Sequence, residues 1–267
     1  MSIAEPSCPN PAPAQPECTA RDALTRSSPE SASPVALPAG FKLTIVVPVY
    51  NEQQTVAKIL HRVRAVPIPK EIIVVDDHST DGTRAVLEQL ADWPELRVIC
   101  KPQNEGKGAA LRTGFAAATG EVVVVQDADL EYDPNDLPTL LGPILRGEAD
   151  VVYGSRYLND LRQDPSFLHR FGNQLLTWTS NLFTGLRLTD METCYKMIPR
   201  LLLQSLDIRQ NRFGFEPEVT AKLARRGARI KELPIRYEGR GYKEGKKIGW
   251  RDGVNALYCI VRYRWRD

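Results

Sequence analysis

The sequence of 267 residues has few histidines and cysteines and no long apolar run. Its three dispersed histidines disfavour a histidine metal site or a catalytic triad. Its five cysteines, an odd number without metal-ligand spacing, disfavour a disulfide framework and fit reduced thiols in a cytosolic protein. No apolar run approaches the roughly 18–20 residues that cross a bilayer, and no basic segment followed by an apolar one begins the chain. We therefore expect a cytoplasmic protein, with any membrane contact peripheral and on the inner face.

The chain also lacks a strong charge imbalance and the common glycine-rich nucleotide motifs. The net charge is +2, so we expect no nucleic-acid partner. No Gly-x-Gly-x-x-Gly follows the first predicted strand and no Gly-x-x-x-x-Gly-Lys-Ser/Thr occurs, which disfavours a dinucleotide site and a P-loop. The composition, 42% hydrophobic and 25% charged, is that of a soluble globular protein with one sizeable domain and an extension.

Proline is concentrated at the N-terminus. Eight of the twenty prolines lie within residues 1–39, among Ser, Ala, Glu and Thr. Such a segment buries too little apolar surface to offset the entropy that it loses on ordering. We predict a disordered, proline-rich tail over residues 1–39.

From residue 40 onward, strand and helix patterns alternate along the chain. The strict alternation predicts βαβ units with right-handed crossovers, and hence an α/β fold with a parallel sheet. After residue 131 the alternation loosens. The predicted strands are 43–49, 71–75, 96–99, 122–125, 149–154, 193–198 and 230–237. The predicted helices lie around 56–63, 86–90, 109–118, 136–145, 167–183, 216–226 and 250–264.

Acidic side chains follow the strand of four valines at 122–125. Asp127 and Asp129 come first, and Glu131 follows two residues later. Open α/β sheets bind ligands at the carboxyl ends of their strands, and Mg²⁺ or Mn²⁺ takes oxygen ligands and bridges to substrate phosphates. We interpret Asp127 and Asp129 as anchors of a metal–diphosphate. The alternative is a solvated loop before a helix that is capped by Asp133.

The first two strands also end in polar residues. Tyr50 can stack on a base, and the carboxylates of Glu52 and Asp77 can accept hydrogen bonds from base N–H groups or ribose hydroxyls. The alternative for each single residue is a helix cap, for which Asn51, Glu52 and Asp81 are suitable types. Helix capping explains their joint placement after strand ends less well than a shared binding site does.

Four motifs follow one another along the chain: VVPVYNE at 46–52, VVDDHSTDGT at 74–83, NEGKG at 104–108 and QDAD at 126–129. With these motifs in this order, the sequence resembles glycosyltransferase family 2, and most closely its polyprenyl-phosphate, dolichol-phosphate mannose synthase-like branch. The resemblance covers roughly residues 42–250. It implies a Rossmann-like GT-A fold, a GDP- or UDP-linked sugar donor, Mg²⁺ or Mn²⁺, inversion at the anomeric carbon and a polyprenyl phosphate acceptor.

The resemblance also implies roles for individual residues. Asp127, Asp129 and Glu131 would be the metal ligands, and Arg156, in the Gly-Ser-Arg segment, would face phosphate. Asp127, Asp129 and Arg156 would thus be the catalytic residues. The nucleotide sugar would be bound by Pro48, Tyr50, Glu52, Val75, Asp77, Asp127, Ala128 and Asp129.

The acceptor decides which further side chains the reaction needs. A polyprenyl phosphate is already an anion, so it needs cations and no general base. The basic, glycine-punctuated run 240–247 fits a mobile flap that closes over phosphates, although a solvated loop is the alternative. Relatives carry Gly-x-Ser-Lys where this chain has Glu-Gly-Lys-Lys, so individual lysines are hard to match. The candidate acceptor ligands are Arg156, Arg170, Arg240 and Lys246.

A hydroxyl acceptor would instead need a carboxylate base, for which Asp190 or Glu192 are candidates. Cys194 stands where the polyprenyl-phosphate branch has Gly, which leaves the acceptor class open between lipid phosphate and the hydroxyl of a saccharide or small metabolite. Glu216 falls near a position that can be Lys in dolichol-phosphate mannose synthases, which leaves the donor open as well. A non-catalytic nucleotide-sugar-binding protein is disfavoured by the intact Asp127 and Asp129.

The last predicted helix carries an apolar stripe with arginines beside it. We favour a core-facing stripe, and the alternative is a helix at a membrane interface beneath a lipid-linked substrate. The predicted organisation is a tail at 1–39, a GT-A domain at 40–237 and a basic flap with an amphipathic helix at 238–267. The stripe comprises Trp250, Val254, Leu257, Tyr258, Val261 and Trp265.

Overall fold

Seven strands form one mixed sheet in the computed structural model, which describes residue 1 and residues 37–158, 167–239 and 250–265. Most of the predicted tail and nearly all of the predicted flap lie outside these residues, so the predicted domain limits stay predictions. The strands are β1 Leu43–Val49, β2 Lys70–Asp76, β3 Leu96–Cys100, β4 Val122–Val125, β5 Val151–Ser155, β6 Lys196–Pro199 and β7 Ile230–Pro234. Their order across the sheet is β3-β2-β1-β4-β6-β5-β7.

The first four strands run parallel, as their alternation with helices predicts. β6 is antiparallel to both of its neighbours, β4 and β5, and β7 is parallel to β5. β4 and β5 therefore point the same way, and their carboxyl ends lie at the same edge of the sheet as those of β1 and β2. The mostly parallel α/β sheet predicted from the sequence is confirmed.

Helices flank the sheet, and most begin and end close to the predicted limits. The short helix at Arg200–Gln204 was not predicted, and β6 and β7 are shorter than predicted. A short 3-10 helix at Pro134–Asp136 precedes the helix at Leu137–Leu145, and the Asp133 carboxylate accepts a hydrogen bond from the Asn135 N–H at its start, as the cap prediction requires. The helices are α1 Val56–Ala65, α2 Thr83–Glu88, α3 Lys107–Ala117, α4 Leu137–Leu145, α5 Phe167–Thr184, α6 Arg200–Gln204, α7 Phe215–Arg225 and α8 Trp250–Trp265.

The central strands bury side chains on both faces of the sheet. Ile45 and Val47 belong to a core cluster that includes residues of α1 and α4. Val46 points to the opposite face and joins a second cluster, together with Ile73 and Val75 of β2 and with residues of α3 and α7. Successive side chains of a strand alternate between the faces. Burial of both faces explains why these strands are continuous apolar runs.

The apolar stripe of α8 faces solvent, so the favoured core-facing interpretation is wrong. Ala256, Cys259, Ile260 and Tyr263 are the buried side chains of this helix. Helix α8 packs against α5 and α7, and small side chains such as Ala256 and Cys259 let helices approach closely. The side chain of Trp250 lies outside the described residues. The exposed members of the stripe are Val254, Leu257, Tyr258, Val261 and Trp265.

One carboxylate joins three segments at the amino end of the parallel strands. Glu71 accepts hydrogen bonds from the Thr44 hydroxyl, from the N–H and hydroxyl of Thr119, and from the Gly120 N–H. Burial by itself raises the pKa of Glu71, but these hydrogen bonds outweigh it and lower the pKa from 4.5 to about 2. The ionised form of Glu71 therefore stabilises the fold.

We expect Glu71→Gln to lower the free energy of unfolding at neutral pH by about 1–2 kcal/mol, less than the whole pKa shift implies because the site is partly solvated. Because the native pKa is depressed, this contribution is complete above pH 4.5 and is lost as the pH falls towards 2. Denaturant unfolding across this pH range measures the difference in free energy of unfolding between the variant and the unchanged chain, with the exposed Glu88→Gln as the control. If this difference stays constant down to pH 2, ionised Glu71 does not stabilise the fold.

Candidate functional site

Backbone strain concentrates at the carboxyl ends of the parallel strands. Among the described residues, four that are not glycine have a positive φ, and three of these follow β1, β2 and β4: Asn51 at 55°, His78 at 65° and Leu130 at 66°. The left-handed region is costly for residues with a side chain and is often found at functional sites. This edge of the sheet, where the sequence places its polar motifs, is our candidate site.

The segments after β1 and β2 are joined by hydrogen bonds. The Asn51 N–H donates to the Ser79 hydroxyl at 2.9 Å, and the Asn51 side-chain oxygen accepts from the Thr80 N–H at 2.8 Å. The capping role considered for Asn51 is therefore wrong, since α1 begins only at Val56. The cap residue of α2 is Gly82, and the Asp81 carboxylate before it accepts from the N–H and hydroxyl of Thr83, the first residue of the helix.

The Asp77 carboxylate is buried and anchors the loop at 104–108. It accepts hydrogen bonds from the N–H groups of Glu105 and Gly106, the latter at 2.7 Å, and lies 3.0 Å from the Lys101 ammonium. The Asn104 amide donates to the Asp77 carbonyl. These contacts position the loop beside the end of β2, and the predicted contact of Asp77 with a nucleoside stays a prediction.

The two glycines of this loop are required by its geometry. Gly106 has a φ of 97°, and a Cβ at this position would lie 2.5 Å from the Asn211 carbonyl oxygen. A Cβ at Gly108 would overlap the Gln210 carbonyl oxygen. The Ala109 N–H donates to the Asn211 carbonyl oxygen at 3.1 Å. The NEGKG motif thus allows the backbone to pack directly against the segment before α7.

Lys107 connects this loop to the acidic strand end. Its ammonium lies 3.0 Å from an Asp127 oxygen and 3.2 Å from a Glu216 oxygen. The carboxylates raise the pKa of Lys107 well above its usual value, and they outweigh the burial that would lower it. Gly106 contacts Asp77 and its neighbour Lys107 contacts Asp127, so this loop links the ends of β2 and β4. The predicted crevice that these residues share with Tyr50 and Glu52 stays a prediction.

The three predicted metal ligands do not form one cluster. The Glu131 carboxylate accepts a hydrogen bond from the Tyr237 hydroxyl at 2.7 Å, and the Glu131 N–H donates to the Asp129 carboxylate at 3.2 Å. Within the parts of the chain that the structure describes, no three His, Cys, Asp or Glu side chains are placed to hold one metal ion. Asp127 and Asp129, both partly exposed after β4, provide two carboxylates of the kind that Mg²⁺ or Mn²⁺ prefers.

Arg156 and Asp190 form a buried ion pair beside the site. The guanidinium makes a two-point contact with the carboxylate, with both N–O distances 2.7 Å, and the Arg156 N–H donates to the same carboxylate at 3.1 Å. The Asn173 amide is a fourth donor, at 3.2 Å. Burial would raise the pKa of Asp190, but Arg156 and these hydrogen bonds lower it. This arrangement speaks against Asp190 as a general base.

The other predicted site residues lie in different surroundings. Pro48 and Val75 are register partners in β1 and β2. The Val75 side chain is fully buried, so a nucleoside there would meet its backbone. Ala128 is buried between the two aspartates of the QDAD motif, and Arg170 lies near the start of α5. Tyr50 and Glu52 are partly exposed after β1. Arg240 and Lys246 lie outside the described residues.

Two lysines near the site, Lys107 and Lys196, were assigned no role from the sequence, whereas Glu192 was a candidate base. Lys107 lies in a quoted motif, but its partner Glu216 is 109 positions away. Lys196 is buried and donates to the carbonyl oxygen of Met191 at 2.8 Å. Burial and the nearby Glu216 raise the pKa of Glu192 to about 8. Only the tertiary fold brings these residues together. A lysine within an otherwise apolar segment does, however, indicate a buried charge that needs a partner.

We expect Asp190→Asn to lower the free energy of unfolding by about 3–5 kcal/mol, because the buried Arg156 guanidinium would lose its counter-ion. Asp150→Asn is the matched control, since Asp150 makes a similar two-point contact with Arg229 at the surface. Replacement of Asp150 should have little effect on the free energy of unfolding, because its ion pair is exposed to solvent. Denaturant titration of both variants measures the losses, and equal losses would contradict the importance of burial for the Arg156 pair.

Comparison with known proteins gives a consistent assignment. The model of the family described as Glycosyl transferase family 2 matches residues 44–206. Undecaprenyl-phosphate mannosyltransferase of Micrococcus luteus is 30% identical over 241 residues, which cover 84% of this chain and 96% of that protein. Dodecaprenyl-phosphate galacturonate synthase of Rhizobium johnstonii is 28% identical over 227 residues, which cover 83% of this chain but only 64% of the relative.

Solved structures confirm the predicted GT-A fold. Glucosyl-3-phosphoglycerate synthase from Mycobacterium tuberculosis, crystallised with Mn²⁺, uridine-diphosphate and phosphoglyceric acid, matches with a TM-score of 0.65 and 22% sequence identity. The match covers 86% of this chain and 80% of that structure. At this identity, the likeness bears on the fold alone.

Proposed function

The chain belongs to glycosyl transferase family 2, and on this premise we propose that it transfers a sugar from a nucleotide diphosphate to a polyprenyl phosphate, with inversion at the anomeric carbon. The observation that carries the proposal is the contact of the cationic Lys107 with Asp127 at the end of β4, where Asp129 follows two residues later. The names of the Micrococcus and Rhizobium relatives, both transferases that act with polyprenyl phosphates, support the acceptor class.

The donor would lie across the ends of β1, β2 and β4. Tyr50 and Glu52 are the candidates for contact with the base and the ribose of a UDP- or GDP-linked sugar. Asp77 positions the loop at 104–108, which would form one wall of the same site. The diphosphate would then reach Asp127 and Asp129.

The residues at the end of β4 fit a divalent cation by their donor chemistry. Asp127 and Asp129 would bind Mg²⁺ or Mn²⁺ with carboxylate oxygens, and substrate phosphates and water commonly complete such a coordination shell. The ion would stabilise the negative charge that develops on the departing diphosphate. Glu131 is not needed in this scheme, since its carboxylate is engaged by Tyr237.

Two cations of the chain itself would assist departure of the diphosphate and binding of the acceptor. Lys107 already lies at Asp127, and it can turn towards the leaving phosphates while Glu216 keeps it near. Arg156 follows β5 at the same edge of the sheet. Its pair with Asp190 fixes the guanidinium in one orientation, with the rings of Tyr157 and Tyr237 beside it.

The state of the two candidate bases favours a phosphate acceptor over a hydroxyl acceptor. Asp190 is fully buried and saturated with donors. Burial and the nearby Glu216 raise the pKa of Glu192, which disfavours the ionised form that a base must have. A phosphate needs no base because it is already an anion, whereas a saccharide hydroxyl requires one.

Incubation of the full chain with Mg²⁺ or Mn²⁺, labelled UDP- and GDP-sugars and a short-chain polyprenyl phosphate tests the proposal. We expect label in the organic phase, and none with Asp129→Ala, because that variant loses a metal ligand while the core stays intact. The exposed Asp92→Ala is the control. Label found only in a water-soluble glycoside would identify a hydroxyl acceptor. Nucleotide-sugar binding without transfer would identify a binding protein.

Lys107 can be tested separately. We expect Lys107→Met to lower kcat by roughly 100-fold with a smaller change in KM, since loss of a cation at the leaving group acts mainly on the transition state. Lys107→Arg should recover part of the activity, and the exposed Lys58→Met is the control. Steady-state kinetics and a thermal melt distinguish loss of catalysis from loss of folding. An unchanged kcat would remove Lys107 from the mechanism.

A further inference from the structure

Side chains continue the contact between β4 and β6 past the end of β4. The antiparallel register joins Val123 to Ile198, and the same register, extended along both chains, places Gln126 opposite Tyr195. The Tyr195 hydroxyl donates to the Gln126 side-chain oxygen at 2.6 Å, and both side chains are fully buried. The Gln126 amide in turn donates to the Asp127 carbonyl oxygen at 3.1 Å. Tyr195 is thus connected to the backbone of Asp127 through one side chain.

The acidic segment ends at a second buried tyrosine. Tyr132 follows Glu131, and its hydroxyl accepts a hydrogen bond from the Cys194 N–H at 3.3 Å. The rings of Tyr132 and Tyr195 are in contact, with their centres 4.9 Å apart. Residues 194 and 195 therefore bind the acidic segment, 126–132, at both of its ends. We call Gln126, Tyr132 and Tyr195 together the tyrosine clamp.

The residues between the two ends need such support. Asp127 and Asp129 are partly exposed to solvent, and Leu130 has a φ of 66°. A residue with a side chain adopts this left-handed conformation at a cost in free energy, and it persists where the surrounding structure fixes it. Attachment at both ends holds the short segment in one conformation.

The hydroxyl groups of the clamp do more than fill space. Burial of a hydroxyl costs free energy unless the group is hydrogen-bonded, and phenylalanine would fill the same volume without this requirement. The Tyr195 hydroxyl bonds to the first residue of the acidic segment, and the Tyr132 hydroxyl bonds to the residue next to Tyr195. Both hydroxyl groups therefore attach the segment that carries the two aspartates to residues 194 and 195.

The clamp also contacts the surroundings of Arg156. The centres of the Tyr132 and Tyr237 rings are 5.2 Å apart. The Tyr237 hydroxyl donates to the Glu131 carboxylate, and the Arg156 guanidinium lies 5.2 Å from the Tyr237 ring centre. One series of contacts thus connects the acidic segment with the cation that we assign to the acceptor phosphate.

We propose that the tyrosine clamp positions the metal-binding pair, so that the hydroxyl groups of Tyr195 and Tyr132 hold Asp127 and Asp129 in the geometry that binds a divalent ion. The inference rests on the proposed function, in which these two carboxylates are the metal ligands. Partners that orient metal ligands by hydrogen bonding typically contribute about 10- to 100-fold to metal affinity. Tyr195 and Tyr132 are positioning residues, since they act through the acidic segment.

Titration of the full chain with Mn²⁺ in the presence of UDP or GDP tests the proposal, with free Mn²⁺ measured by electron paramagnetic resonance and protein-free nucleotide as the blank. We expect Tyr195→Phe to raise the Kd for Mn²⁺ by about 10-fold, because Gln126 loses its donor while the ring stays. Tyr153→Phe is the matched control, since Tyr153 is also fully buried and its hydroxyl is bonded to Thr220, outside the clamp. The Kd of the control should equal that of the unchanged chain.

A double variant tests the route of the effect. Gln126→Met removes the same hydrogen bond from its other side, so the double variant Tyr195→Phe, Gln126→Met should bind Mn²⁺ no more weakly than Gln126→Met alone. Losses that multiply would overturn the proposal. It would also be overturned by an unchanged Kd in Tyr195→Phe or by an equal rise in Tyr153→Phe.

The transfer assay separates this proposal from the proposed function. If the unchanged chain binds Mn²⁺ but transfers no sugar, the proposed function fails, and the ratio of Kd values between Tyr195→Phe and Tyr153→Phe still decides on the clamp. If the unchanged chain transfers sugar and Tyr195→Phe keeps the same Kd, the clamp fails and the function stands. Absence of Mn²⁺ binding to the unchanged chain would overturn both the clamp and the assignment of the metal ligands.

Discussion

The loop at 104–108 is held between two carboxylates that follow different strands, and the site depends on this arrangement. Asp77 binds the loop through backbone N–H groups, and Asp127 binds it through Lys107. The ends of β2 and β4 are thereby linked although β1 separates them in the sheet. A charged side chain near the strand ends can be placed to within a fraction of an ångström only when its supports are fixed in this way.

The side of the fold beyond β4 contains charged groups that are costly to bury. Arg156 with Asp190, and Lys196, are almost or fully removed from water by their neighbours. Each buried charge costs several kcal/mol unless it is paired and hydrogen-bonded. Hydrophobic side chains of similar volume would often give an equally stable core. The retention of these charges is best understood if the site uses the field that they produce on its phosphate-bearing ligands.

The sequence predicts the features that depend on local pattern. It does not predict long-range contacts or which face of a helix packs against the rest of the fold. The parallel strands and the acidic end of β4 follow from runs of valine and from residue spacing. The meeting of Lys107 and Glu216 cannot be predicted from spacing, because 109 positions separate them. The orientation of α8 was predicted wrongly because large apolar residues suggested the core. The close packing of helices instead selected the small side chains of Ala256 and Cys259.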